Sequence, residues 1–487
     1  MSAKTRDRRT PSKVRAGTSG RLPAESRGRS GRPVDVQSAP PRGLAALGHR
    51  LAIWTVWLLL VAVPVVLDSA QKDSFRLPKS LLGETLALVS LFFLALAWKG
   101  PDSWRRLARA PFVRMWGPFL VVATLLSLAS PHTAHVHRGL AGLWIGALAV
   151  WGWSAGFSRA ELREALNFSL VPASILALIG ILQFHGLYEP YAFAGIAETS
   201  RFAIGSLAGN VGDLAAALVL PVILAQSLIV RGRRLALACG ALAVCLYGLV
   251  VTQTFAAVAA AAAGTCMFWA FRVSRKRAAA AVAAVAGTVV LMLVLIGPFR
   301  ERSLAKLAEV GRGDWNTVLT GRLDGWRAAV WMLEQHPLRG VGVGAYRTEY
   351  IYAKAELLRH GVTFFADQMN VVFANAHNEF LEVAAETGLP GLAAFLWGSV
   401  LLVRRLRGRR RTEHREGASG ADSGASGSVS ESAAPRAAPD PDRALAWAGT
   451  VAIAVLSLAN FPFRIAISLW PILLFLAWIL TDEKEVA

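Results

Sequence analysis

The feature that most constrains this chain is a series of apolar runs, each close to the length that crosses a bilayer. A spanning helix needs about 20 mostly apolar residues. Such runs stand at 49–67, 81–98, 115–130, 140–157, 166–184, 206–230, 235–252, 255–271, 278–297, 388–403, 444–460 and 465–480. Those at 388–403 and 444–460 are short, so the reading is ten to twelve spans. Only helices and closed barrels satisfy their own backbone in lipid, and the alternating strand pattern of a barrel is absent. The expected fold is therefore all-α, a polytopic membrane protein of about 10–12 transmembrane helices.

Charge agrees with that solvent. Only 17% of the 487 residues are charged, against about 25% in an ordinary soluble domain, and the mean hydropathy is +0.44. A net charge of +20 would by itself suggest nucleic acid or an acidic surface. Its location argues otherwise. Residues 1–50 hold 12 Lys/Arg against 3 Asp/Glu, and most of the remaining charge sits in short loops between apolar runs. A soluble enzyme and a transcription factor are excluded, and no nucleic acid is expected as a partner. Cys239, Cys245 and Cys266 lie inside apolar runs and read as small buried apolar residues, not as a disulfide framework or zinc site.

Basic residues in short loops set the sidedness. From a cytoplasmic N-terminus, the loops expected inside carry Arg105–Arg114, Arg159 and Arg163, Arg231–Arg234, Arg272–Arg277 and the Arg404–Arg411 cluster. Those expected outside hold little beyond Arg138 and Arg201, although 68–80 breaks the trend with three basic residues. The domain plan is a disordered basic cytoplasmic tail (1–45) and a transmembrane bundle (46–297), then a large ordered extracytoplasmic loop (298–387). A transmembrane helix (388–403), a Gly/Ser/Ala-rich cytoplasmic linker (404–443) and a C-terminal pair of transmembrane helices with a short tail (444–487) complete it. The tail is expected to lie along anionic membrane lipid. A long ordered loop is where function concentrates.

Four elements on the outer side carry candidate chemistry. Residues 322–333 read as a helix with an apolar face at 323, 326, 330 and 333, with Arg322 at its start, Asp324 able to pair with Arg327, and a stop at His336-Pro337. Both arginines are readable as solvated or as anion-binding. Gly340–Gly344 lacks the strand context of a phosphate loop and reads as a flexible turn. In Ala376–Gly391, His377 is placed in the first turn of a helix whose Glu379, Glu382 and Glu386 form a polar face away from it. A neutral His there accepts a proton from a hydroxyl, while the bland reading is structural. Arg201–Asn210 sits at the mouth of the sixth run, where an arginine binds lipid phosphate or a phosphate that reacts.

Three of these elements, in order and on the expected side, resemble the O-antigen ligase and polymerase superfamily of bacterial envelope proteins. They are an Arg followed by small residues ending in Asn (Arg201 to Asn210), an Arg-initiated helix ending in Pro and a GxG turn (Arg322 to Gly344), and His-Asn with Glu-x-Gly (His377-Asn378, Glu386-Thr387-Gly388). The motif-bearing part covers about 190–400. One departure stands out: the family often carries Ser-Arg-Gly where this chain reads Thr252-Gln253-Thr254-Phe255, so one phosphate-binding arginine is missing or supplied from elsewhere, for example by Arg327 or Arg347.

The resemblance implies a GT-C-like fold and glycan transfer at the periplasmic face of the bacterial inner membrane. The donor would be a glycan on undecaprenyl diphosphate, and the acceptor a hydroxyl of lipid A–core or of a growing glycan. It makes Arg201 and Arg322 the groups that stabilise the leaving diphosphate and His377 the residue that orients or deprotonates the acceptor, with inversion. Asn210, Arg327, Arg347, Asn378 and Glu386 are then substrate-binding candidates, with Glu386 standing behind the site, and Trp315, Trp326 and Tyr346 candidates for sugar stacking. No metal and no cofactor is expected, because no outer Asp/Glu/His cluster has metal-ligand spacing. A ligase and a polymerase of lipid-linked repeat units share this chemistry, as does transfer to a protein acceptor. The reading from another class is a transporter of lipid-linked glycan, which would place charge at the membrane midplane; Glu84 and Asp213 instead lie toward the outer ends of their runs.

Overall fold

The computed structural model describes residues 43–68, 70, 73–98, 100–188, 204–272, 297–365, 372–419 and 440–481, with four isolated positions between 283 and 294. The basic tail, Arg201, most of the 278–297 run and the 420–439 part of the linker lie outside these residues. Among those described, every regular element is helical and none is a strand. Seven helices are long and apolar enough to cross a membrane, or eight if the pair Ser103–Arg109 and Pro111–Ser127, bent by 60°, is one span. Leu235–Val251 and Ala466–Leu480 are shorter apolar helices. The protein is an all-α polytopic membrane protein.

Helix ends follow local chemistry. Ser158 and Glu161 form a capping box that starts Arg159–Phe168. Asn210 caps Val211–Val230 by accepting from the Gly212 N–H at 2.7 Å. That helix is the most enclosed, and it packs against Leu235–Val251, Phe255–Arg272, Pro441–Ser457 and Ala466–Leu480. Lipid supplies no hydrophobic drive between spans, so close packing and polar contacts hold them. Gln226 donates to Thr265 Oγ1 at 2.9 Å and accepts from Trp269 Nε1 at 3.0 Å, while Trp153 donates to Ser90 at 2.7 Å. Of the cysteines only Cys245 is fully buried; Cys239 is exposed on its helix.

Two ends of the bundle differ in charge. At one, Arg163 and Arg231 both donate to Asp442 in the first turn of Pro441–Ser457. A cavity of about 220 Å³ lined by Glu164, Asn167, Leu228, Arg233 and Arg234 also lies there. The other end carries Gly297–Arg312, Arg322–Gln335, Tyr346–Arg359 and the start of Glu379–Ser419. This last helix begins inside the segment expected to be loop and runs on past residue 403, with non-helical geometry at Gly388 (φ 64°, ψ −174°).

Between Gln335 and Tyr346 the chain forms a strap rather than a flexible turn. Val341 N–H donates to Ala385 O and Gly342 N–H to Glu386 O, each at 2.9 Å. Gly344 N–H donates to Glu386 Oε1 at 2.8 Å, and Leu389 N–H to Pro337 O at 2.8 Å. Only glycine fits where strap and helix meet. At Gly340 (φ 66°) a Cβ would lie 2.4 Å from the Glu386 carbonyl carbon, and at Gly388 2.7 Å from that of Leu338.

Candidate active site

The site forms where the strap, the 375–378 turn and the turn before the last helix converge. Its floor is the Arg322–Gln335 helix, whose buried face is Asp324, Gly325, Ala328, Ala329 and Met332. The expected apolar face is not the buried one, since Val330 is exposed. Small residues win because backbone must approach: a Cβ on Gly325 would stand 2.8 Å from Ala376 O. Asp324 does not pair with Arg327. Fully buried, it accepts from Asn316 Nδ2 at 2.7 Å and from Phe365 N–H at 2.9 Å.

His377 lies before the helix, not in its first turn. Asn378 is the residue that caps Glu379–Ser419, accepting from the N–H groups of Phe380 (3.0 Å) and Leu381 (3.1 Å). It also donates to Leu458 O at 3.0 Å. His377 adopts the left-handed conformation at φ 58°, a strained state of the kind that clusters at functional sites. Its Nδ1 stands 3.1 Å from Asn375 O. A carbonyl only accepts, so Nδ1 carries the proton and Nε2 presents a lone pair. No described residue bonds Nε2. Phe373 and Phe461 meet the ring edge to face, at 5.3 and 4.8 Å between centroids. Burial, then the nearby Arg322 and Arg76, push its pKa down to about 3, so the imidazole is neutral in the resting protein.

Arg322 is the first residue of its helix, as expected. Its Nε donates to Ala459 O at 2.7 Å and its Nη1 to Leu319 O at 3.0 Å. Among the described residues no carboxylate neutralises it. Burial and the charge of Arg302 lower its pKa.

Two charged residues of this site, Arg76 and Arg464, escaped the sequence reading. Arg76 forms a two-pronged pair with Asp213, at 2.7 and 2.8 Å, and its guanidinium lies 5.5 Å from the Phe461 ring centre, the ring His377 also touches. Its one signal was the basic excess of 68–80. Arg464, in the turn between the last two helices, donates to Glu386 at 2.6 Å and lies 3.6 Å from Glu382. Burial opposes its charge, but Glu386, Glu382 and Glu379 hold its pKa above the ordinary value.

The three glutamates therefore make an interior network rather than a polar face. All are buried. Glu382 accepts from Asn375 Nδ2 (2.8 Å) and Ala376 N–H (2.9 Å), which fixes the turn carrying His377. Glu379 accepts from Phe463 N–H at 2.9 Å. With Gly344 and Arg464 on its carboxylate, Glu386 joins the strap to that last turn behind the site.

The structure brings His377, Asn378, Arg322 and Glu386 together through these shared turns. Arg327 is exposed, donating to Thr363 O at 2.8 Å, and Arg347 is exposed as well; no contact brings either to His377. Asn210 caps its helix at the same end of the bundle, three residues before Asp213. Tyr346 is buried with its hydroxyl on Gly325 O at 2.8 Å, so it cannot stack on a sugar, whereas Trp315 is exposed and Trp326 half-buried beside His377 O. Among the described residues no group of three or more His, Cys, Asp or Glu is arranged to hold a metal.

Residues 240–396 match the family model described as O-antigen ligase. That stretch of the chain is similar to the O-antigen ligase family, which supports the resemblance to the ligase and polymerase superfamily. The match takes in the helix of Arg322, the strap, His377-Asn378 and Glu386-Thr387-Gly388, while Arg76, Asp213 and Arg464 lie outside it. A comparison with curated proteins gave no match. The match supports a glycosyltransferase-like membrane enzyme with lipid-linked glycan and membrane lipid as its general partners.

Proposed function

We propose that this O-antigen ligase relative moves a saccharide from undecaprenyl diphosphate onto a hydroxyl of lipid A–core, at the periplasmic face of the bacterial inner membrane, with both termini cytoplasmic. The observation that carries the reading is the Nε2 of a neutral His377, unbonded among the described residues, beside Arg322, whose guanidinium meets no carboxylate among them. The acceptor oxygen attacks the anomeric carbon from the face opposite the diphosphate and inverts it. The bond between that carbon and the diphosphate oxygen breaks, and the hydroxyl proton passes to Nε2. Arg322 offsets the charge that grows on the departing diphosphate, and Arg201 is proposed to share this task, so guanidinium groups replace a metal. Asn378 is proposed to help place the acceptor while holding its turn to Leu458.

A base with a pKa near 3 is weak, but two of the causes that depress His377 are positive charges. An anionic donor seated against Arg322 cancels that repulsion and raises the basicity of the ring. Donor binding thus prepares the base that its own transfer requires.

The test is a lipopolysaccharide gel of a deletion strain carrying the wild-type chain, alongside analysis of lipid-linked glycan. Restored long chains on core, with polymer accumulating on the carrier in the uncomplemented strain, is the expected result. Core bearing a single repeat in the deletion strain would instead make the protein a polymerase. An unchanged ladder would move the acceptor to an exopolysaccharide or a protein.

A further inference from the structure

Several arginines at the site end of the bundle are paired with carboxylates and others are not. Arg76, Arg138 and Arg464 each face a carboxylate, on Asp213, Glu84 and Glu386. Arg302 and Arg322, both partly buried, have none among the described residues. Arg302 lies on Gly297–Arg312, one turn before Lys306, and both cations stand over the Phe255 ring, at 6.0 and 5.9 Å from its centre. Lys306 donates to the Val318 and Thr317 carbonyls and to Thr320 Oγ1. Arg322 donates to Leu319 O in that same 317–320 turn. One short turn therefore carries Arg322 on one side and the helix of Arg302 on the other, and the Arg302 Nε is buried with no hydrogen-bond partner among the described residues.

Two partly buried guanidinium groups tied to the same turn, neither with a carboxylate among the described residues, repel, and a bound anion would offset that repulsion. Phe255 stands beside Thr254, where the resemblance to the superfamily led to the expectation of an arginine, and the two substitutes considered, Arg327 and Arg347, are exposed elsewhere. We propose that Arg302, held over Phe255 on a helix tied to the 317–320 turn that Arg322 also holds, joins Arg322 on the donor's diphosphate. This rests on the reading of the donor as a lipid diphosphate. A diphosphate has oxygens enough for two guanidinium forks, so Arg302 selects diphosphate over monophosphate carriers.

The experiment measures binding of undecaprenyl diphosphate and of undecaprenyl monophosphate to the full chain in lipid nanodiscs. Loss of one charge-assisted contact predicts that Arg302→Ala binds the diphosphate about ten-fold more weakly, with much less change for the monophosphate. Arg302→Lys should recover part of the loss, and Arg327→Ala should bind as wild type. Arg302→Met keeps an apolar contact with Phe255 and removes the charge, so it replaces the alanine variant should that one fail to fold. Undiminished diphosphate binding in Arg302→Met, with weakened binding in Arg322→Ala, overturns this proposal and leaves the donor reading standing. A wild-type chain that binds neither lipid overturns both.

Discussion

Arg464 donates a hydrogen bond to Glu386 at 2.6 Å and so ties the turn before the last helix to a glutamate 78 residues earlier. The Glu386 carboxylate also takes the Gly344 N–H, so one side chain fixes the strap and the C-terminal turn together. Phe461 and Ala459, which touch His377 and Arg322, ride on that turn.

Removing Arg464 leaves three buried glutamates without their cation. Breaking such a pair from one side costs about 3–5 kcal/mol, so Arg464→Ala should lower the thermal unfolding temperature in detergent and reduce transfer with it. Arg464→Lys should recover part of both. An unaltered unfolding temperature in Arg464→Ala would show that the network is not what holds this end.

Gly340 offers a second structural test. A left-handed backbone costs a non-glycine residue roughly 1–2 kcal/mol, and here a Cβ would also meet the Glu386 backbone at 2.4 Å. Gly340→Ala should destabilise the protein by more than that conformational cost alone. Gly311→Ala, where a Cβ meets nothing within 4 Å, is the control.

His377 governs the pH dependence. Its folded pKa, about 3, lies below the ordinary value of 6.5. The unfolded chain therefore binds this proton first, so the contribution of His377 to stability falls as pH drops from about 6.5 toward 3. Activity is lost when Nε2 is protonated, as pH falls through the pKa of the working complex. Because a bound anionic donor raises that pKa, the acid limb of kcat should lie at higher pH than that of kcat/KM. Coincident limbs, or limbs that survive in His377→Asn, would remove His377 from the titration.

Much of the fold was legible because lipid imposes a strict rule on composition and length, and the apolar runs state it openly. In the site, Arg322 and His377 were visible as polar residues bracketing helices on the loop side. The glutamates were misread for a physical reason. Helical periodicity says which residues share a face, but not that Arg464 and the N–H groups of Ala376, Phe463 and Gly344 would make an acidic face an interior one. Asp324 was misplaced in the same way, since its partners Asn316 and Phe365 are neutral groups from other turns. Arg302 and Arg464 acquire meaning only from contacts far along the chain and no local pattern marks them, while Arg76 had only the basic excess of 68–80.

The two candidate arginines outside the cluster separate site from surface. Arg327→Ala and Arg347→Ala should change transfer by less than about three-fold, in keeping with exposed side chains whose loss costs little. A hundred-fold loss in either would mean that the donor extends over the exposed helix faces.

The most direct test of the central claim is transfer by the purified full chain in nanodiscs, given lipid-linked glycan and lipid A–core. His377→Ala should lose about 10²–10⁴-fold, the usual contribution of a general base, while still binding undecaprenyl diphosphate as wild type. Arg322→Ala should lose both transfer and diphosphate binding. Full transfer by His377→Ala would contradict the account, because the one unprotonated nitrogen on which it depends would then have no part in the reaction.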